Sequence, residues 1–178
     1  MMTFCFNEKK NSRLVLVGSM GAGKTTIGKI LAARMELPFF DTDDIVESSA
    51  GAEISWIFER EGEQGFRRRE NEALRHALEN ESCIIATGGG IVLDESNRLL
   101  LKECATVVYL YLQVQDQLKR LLSDSKRPLI QCDNREEVLC ELFKQRDPLY
   151  KEVSDKIVTV NDNKPSLTIN KILTLLRA

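Results

Sequence analysis

Gly18-Ser-Met-Gly-Ala-Gly-Lys-Thr25 has the spacing G-x-x-x-x-G-K-[ST], in which glycines let backbone N–H groups converge on phosphate oxygens. Within it Gly21, Ala22, Gly23, Lys24, Thr25 and the next residue, Thr26, are candidate contacts for a nucleoside triphosphate. Lys24 has the charge to neutralise the β- and γ-phosphates, and the Thr25 hydroxyl can ligate Mg²⁺. A helix beginning here adds about half a positive charge at its N-terminus. A bare glycine-rich turn with an incidental lysine is the alternative, and the strand before and helix after the motif disfavour it.

Asp41-Thr-Asp43 follows a short apolar segment. In extended backbone, carboxylates two residues apart project to one side. One could reach Mg²⁺ through water, and the other could orient a substrate hydroxyl or take its proton. An isolated D-x-D after a strand is more often a solvated turn or a helix cap; a neighbouring phosphate loop shifts the balance to chemistry. Further on, Arg67, Arg68 and Arg69 occupy consecutive helical positions, about 100° apart, so they cannot all face one ligand. A single inward guanidinium could grip a carboxylate bidentately, leaving two on a solvated face. Thr87-Gly-Gly-Gly-Ile91 would let the main chain approach a ligand closely, a tight turn being the bland alternative. Arg127, in a polar loop, and Arg146, in Gln145-Arg-Asp-Pro-Leu-Tyr150, could supply further positive charge.

The elements that would position these residues alternate. Arg13–Val17, Leu37–Phe40, Cys83–Thr87, Thr106–Leu112 and Lys156–Val160 are short, β-branched and nearly all apolar, the pattern of parallel strands buried on both faces. Helical stripes separate them: Ile27, Ile30, Leu31 and Met35, then Leu118, Leu121 and Leu122, then Val138, Leu139, Leu142 and Phe143, and last Ile169, Ile172, Leu173 and Leu176. This predicts a three-layer α/β fold with a five-stranded parallel sheet and its site beyond the carboxyl ends of the strands. The 43–79 stretch holds more than one helix, interrupted at Gly62-Glu-Gln-Gly65, and can wall a pocket; the polar 123–134 stretch around Pro128 has the length of a lid. The 178 residues are read as one domain.

Composition removes other classes. Lys and Arg total 25 against 27 Asp and Glu, a net charge of −2, so the basic field that dominates nucleic-acid binding is missing. No run approaches the roughly 20 apolar residues of a membrane span. The apolar part of the N-terminus is too short for a signal peptide. Five scattered cysteines without C-x-x-C spacing suggest reduced thiols in a cytoplasm, and a monomer is expected because nothing demands an interface. A GTPase is disfavoured, since Asn161-Asp-Asn-Lys164 does not fit N-K-x-D. His76 reads as a surface residue, and Trp56, Phe58 and Phe66 as core or pocket wall.

From Arg13 onward the chain resembles shikimate kinases. The resemblance is carried, in order, by the phosphate loop, Asp41-Thr-Asp43, Gly62-Glu-Gln-Gly-Phe-Arg-Arg68, Gly88-Gly-Gly90, Arg127-Pro-Leu129 and Arg146-Asp-Pro-Leu-Tyr150. It implies a P-loop kinase fold like that of nucleoside-monophosphate kinases, with a lid, and transfer of the γ-phosphoryl of ATP to the 3-hydroxyl of shikimate, on the route to chorismate. It further implies Asp43 at the attacking hydroxyl as base, Asp41 reaching Mg²⁺ through water, and Arg67 and Arg146 clamping the substrate carboxylate. Gly88, Gly89 and Gly90 would line the substrate ring, Arg127 close over the phosphates and Arg120 pack on adenine, whose other side the 161–165 loop, with Asn163, would flank. Arg69 stands where an apolar residue is common in that family, and 162–164 differ from the basic adenine loop expected. Other small-molecule P-loop kinases, of gluconate or nucleotide type, share the cradle but should lack both the arginine pair and the triple glycine. A non-catalytic nucleotide-binding module should have lost Lys24, Asp43 or Arg127, and all are present.

Overall fold

The computed structural model describes residues 12–122, 134–160 and 164–177. Five parallel strands form one sheet in the order β2-β3-β1-β4-β5: β1 Ser12–Val17, β2 Phe39–Asp41, β3 Ser82–Ala86, β4 Thr106–Tyr111 and β5 Lys156–Thr159. The helices are α1 Lys24–Met35, α2 Thr42–Ala50, α3 Ile54–Leu78, α4 Glu95–Cys104, α5 Val114–Leu122, α6 Arg135–Val153 and α7 Pro165–Leu175, with a 3₁₀ turn at Ile91–Leu93. The register places Leu14 beside Ile84 and Thr106 on its two neighbours, so β1 is central.

Because side chains alternate across a strand, β1 feeds two cores. Leu14 and Leu16, with Ile84, Val108 and Leu110, pack under α1 and α7. Val15 and Val17, with Cys83, Ile85, Val107 and Tyr109, pack under α3, α4 and α6. All four β1 residues are fully buried, each contributing about 1.5–3 kcal/mol. The expected third-layer architecture therefore rests on one strand's two faces. Burial in the same core pushes the Cys83 thiol up to about 11.

Boundaries differ from the sequence expectation where glycine or capping intervenes. β2 starts at Phe39 and ends on Asp41, and α2 begins at Thr42 because the Asp41 side chain accepts from the Asp43 N–H as an N-cap. Asp43 therefore sits in a helical turn rather than in extended backbone. α2 and α3 pack around a small core of Val46, Ile57, Phe66 and Ala73. Gly62, at φ 69°, kinks α3. Arg69 spans that kink with two bonds to Glu61, at 2.9 and 2.7 Å, and these lower the Glu61 carboxyl's pKa and raise that of the Arg69 guanidinium. Helix α6 continues through Pro148 to Val153.

Trp56 and Phe58 are surface residues, 48% and 39% exposed, not core; Phe58 stacks on the buried Phe66 at 4.5 Å. Their half of α3 packs on the small α2–α3 core through Ile57, which leaves both rings largely outside it. His76 is exposed as expected, 3.2 Å from Glu79. Cys83, Cys104 and Cys140 are free thiols. No described helix is long and apolar enough to cross a membrane. Cys5, Cys132, Arg127, Asn163 and the 123–133 part of the expected lid lie outside the described residues.

Candidate active site

The phosphate loop leaves central β1 and returns into α1. Gly18 has φ 145° and lies so close to β4 that a Cβ would come within 2.7 Å of the Leu110 carbonyl oxygen, a place only glycine fills. The Gly23 backbone, left-handed at φ 88°, opens α1. The loop is gripped from outside by α5: the buried Gln117 amide donates to the Met20 carbonyl at 3.0 Å, and Arg120 Nη1 to that of Gly21 at 3.1 Å. A peptide held by its carbonyl has its trans N–H aimed the opposite way, so Gln117 sets the direction of the Gly21 N–H. Lys24 Nζ donates to the carbonyls of Gly18 at 2.7 Å and Ser19 at 3.0 Å.

A cavity of about 250 Å³ opens over this loop, lined by Gly21, Lys24, Thr25, Asp41, Asp43 and Gly89 among others. Both carboxylates reach it from different elements. Asp41 Oδ2 accepts from the Thr25 hydroxyl at 2.7 Å while Oδ1 caps α2, so one side chain both starts the helix and bonds the phosphate-loop threonine. Asp43, in the first turn of α2, faces the glycine loop: a Cβ on Gly88 would stand 2.7 Å from its Oδ1 and equally far from Glu70 Oε1. A separate cleft of about 180 Å³ lies beside α1, lined by Ala22, Gly23, Thr26, Arg120 and Pro165 among others.

The two expected clamp arginines meet at the triple glycine. Arg67 from α3 packs against Gly90, where a Cβ would collide with its guanidinium. Arg146 from α6 donates through Nη1 to the Gly89 carbonyl at 3.3 Å. The Nε donors of both arginines are buried without a hydrogen-bond partner, a costly arrangement unless a ligand completes it. Of the arginine triplet, Arg67 alone turns inward, Arg68 is exposed and Arg69 is spent on Glu61.

Three residues join the site that the sequence reading did not single out. Glu70, 1% exposed, takes Arg67 Nη1 at 2.6 Å on Oε2 and has Oε1 unpaired. Burial holds its carboxyl above the ordinary range, with Asp43 adding to the effect and the Arg67 charge opposing it. Thr42, fully buried, accepts the Gly88 N–H at 3.0 Å. Tyr150 donates its hydroxyl to the Gly89 carbonyl. For Glu70 and Tyr150 the signal available was helical spacing, since residues three or four beyond an inward arginine share its face.

The close approach at Gly88 carries a prediction. Gly88→Ala would push apart two acidic side chains, one of them fully buried, and displace Asp43 from the cavity. Turnover is expected to fall by more than about tenfold with ATP affinity kept, measured by steady-state kinetics and nucleotide titration.

A phosphate loop on central β1, acidic oxygens facing it, and a guanidinium pair against the glycine loop that borders the cavity define a P-loop kinase of small molecules. A family model described as shikimate kinase matches residues 20–177. Shikimate kinases from Marinomonas sp. (strain MWYL1) and Chromohalobacter salexigens are each 46% identical, over 94% and 90% of this chain and 93% and 89% of theirs. The chain belongs to the shikimate kinase family. The solved structure of shikimate kinase from Acinetobacter baumannii in complex with shikimate superposes with a TM-score of 0.88 at 44% identity, covering 94% of this chain and 93% of that one. A gluconokinase from Sinorhizobium meliloti shares only the fold, with a TM-score of 0.59 at 13% identity over 95% of this chain and 93% of its own.

Proposed function

We propose that this protein transfers the γ-phosphoryl group of ATP to the 3-hydroxyl of shikimate, giving shikimate 3-phosphate and ADP. The observation that carries the reading is the meeting of Arg67 and Arg146, from two helices, at one glycine loop whose Gly88 lies against Asp43 and whose Gly89 lines the cavity shared with Lys24. Two guanidinium groups with unpaired Nε donors suit one carboxylate, and a polyol acid so held presents a single hydroxyl to Asp43. Alignment then does much of the work, as phosphoryl transfer needs little covalent chemistry from the protein.

In this reading Asp43 accepts the hydroxyl proton as the oxygen attacks, and Lys24 turns from its loop carbonyls to the phosphates. The Gly21–Thr26 segment holds the triphosphate, and the base lies in the cleft beside Arg120. Thr25 Oγ1 and Asp41 Oδ2, hard oxygens 2.7 Å apart at the cavity, fit Mg²⁺, which prefers few protein oxygens with water and phosphate making up its shell. Thr25 would hold the ion directly and Asp41 through water, and Mg²⁺ would supply charge neutralisation on the phosphates. For Arg127, charge on the transferring phosphoryl group, and for Asn163, a base contact, the support is the family resemblance. The same reading takes the chain as one domain whose 43–79 insertion receives the acceptor, a monomer acting in the cytoplasm with ATP and shikimate as its partners.

A coupled assay of ADP release tests the reaction. Turnover with shikimate and none with gluconate or a nucleoside monophosphate is the expected result; the reverse pattern rejects it. Light scattering of the purified protein checks the monomer.

A further inference from the structure

We propose that Tyr150 is a positioning residue for acceptor binding: its hydroxyl holds the Gly89 carbonyl in place so that Arg146 can turn onto a carboxylate. This rests on the reading that the cavity beside the triple glycine takes a carboxylic acid. Arg146 and Tyr150 are one helical turn apart on α6, so their side chains leave the same face. Both donate to one oxygen, the Gly89 carbonyl, Arg146 from 3.3 Å and with its Nε left unpaired. The arginine is thus held through its terminal nitrogens, at the Gly89 carbonyl and beside the Tyr150 hydroxyl, while its Nε stays unpaired.

The tyrosine is held firmly. It is 2% exposed, and its ring lies 4.9 Å from that of Tyr109, whose hydroxyl donates to Asp147 at 3.0 Å. Asp147 also takes Lys151 at 2.7 Å, so β4 and α6 together fix the ring. Burial pushes the Tyr150 hydroxyl up to about 12, which keeps it protonated, and a donor, throughout the neutral range.

Two donors on one acceptor make one of them expendable. With Tyr150 in place, the guanidinium can leave Gly89 for an incoming acid while the sheltered carbonyl stays paired. Without the hydroxyl, Arg146 either remains on Gly89 and binds the acid poorly, or leaves a carbonyl without a partner. Both outcomes weaken acceptor binding, and neither touches the phosphate loop. In the free protein the loss is small, because the Arg146 bond persists.

Tyr150→Phe keeps the ring and removes only the hydroxyl. Calorimetric titrations with shikimate and with ATP, together with the Tm of the free protein, test the inference. The shikimate Kd is expected to rise about tenfold, the size of one unsatisfied polar group, while the ATP Kd and Tm barely move. On an Arg146→Ala background the same substitution should have a much smaller effect, since the arginine it serves is gone. An unchanged shikimate Kd overturns the inference, as does an equal loss for both ligands with a lowered Tm, which is the mark of a general structural role. Failure of the unaltered protein to bind shikimate overturns the reading of the site and the inference with it.

Discussion

Asp43→Asn should lower phosphoryl transfer to shikimate by about a thousandfold, within the range removed with a positioned general base, and leave ATP binding intact. The substitution keeps the shape of the side chain but removes its capacity to take a proton. The bond that starts α2 is made by the Asp43 backbone N–H to Asp41, so the cap survives. Asp43 is also one of the groups holding the Glu70 carboxyl above its ordinary range, and an uncharged neighbour relieves that repulsion. The variant's Tm is therefore expected to equal or exceed that of the unaltered protein, which separates lost chemistry from lost fold. Single-turnover transfer, calorimetry with ATP and thermal unfolding read the three quantities; near-normal transfer would remove Asp43 from its role.

The sheet and the phosphate loop were legible because each is a local signal. Continuous β-branched runs such as Arg13–Val17 need no partner to be read as doubly buried strands, and the loop motif carries its own spacing. Asp41 and Asp43 were read as a pair for a reason that only half applies: the segment is extended up to Asp41 and helical after it, so the two carboxylates converge through a cap and a first helical turn. From residue types alone the proposed clamp was not legible as a site; the family resemblance singled out Arg67 and Arg146, which contacts between α3, α6 and the glycine loop bring together. Choosing among Arg67, Arg68 and Arg69 required knowing which faces Gly90 and that Glu61, across the Gly62 kink, takes Arg69. Glu70 was missed because a glutamate in a charged helix ordinarily reads as solvated surface, and its burial depends on the Gly88 backbone pressing against it. Trp56 and Phe58, read as core or pocket wall, are not core: Trp56 lines a surface pocket and both rings stay exposed.

Arg67→Ala is expected to weaken shikimate binding by about two to three orders of magnitude, the usual loss when one partner of a buried charged contact is truncated. Titration with shikimate and with ATP should show the loss confined to the acid. The same change leaves Glu70 1% exposed without the cation at 2.6 Å, and this gives the variant a distinctive pH dependence. Burial already raises the Glu70 carboxyl, so between its ordinary value and its raised one the native state binds more protons than the unfolded state. Stability contributed by this group therefore falls as pH rises through that window. Arg67 is the largest of the influences that lower it; its removal pushes Glu70 higher and extends the window upward. The Tm deficit of Arg67→Ala should thus be greatest at neutral pH and shrink on acidification, where Glu70 is protonated in both proteins and both states. Adding Glu70→Gln should recover much of the neutral-pH deficit without restoring shikimate affinity, since the amide relieves the buried charge but supplies no grip on a carboxylate. A Tm deficit that does not vary with pH, or one that Glu70→Gln deepens, would show that Arg67 supports the fold by some route other than pairing with Glu70.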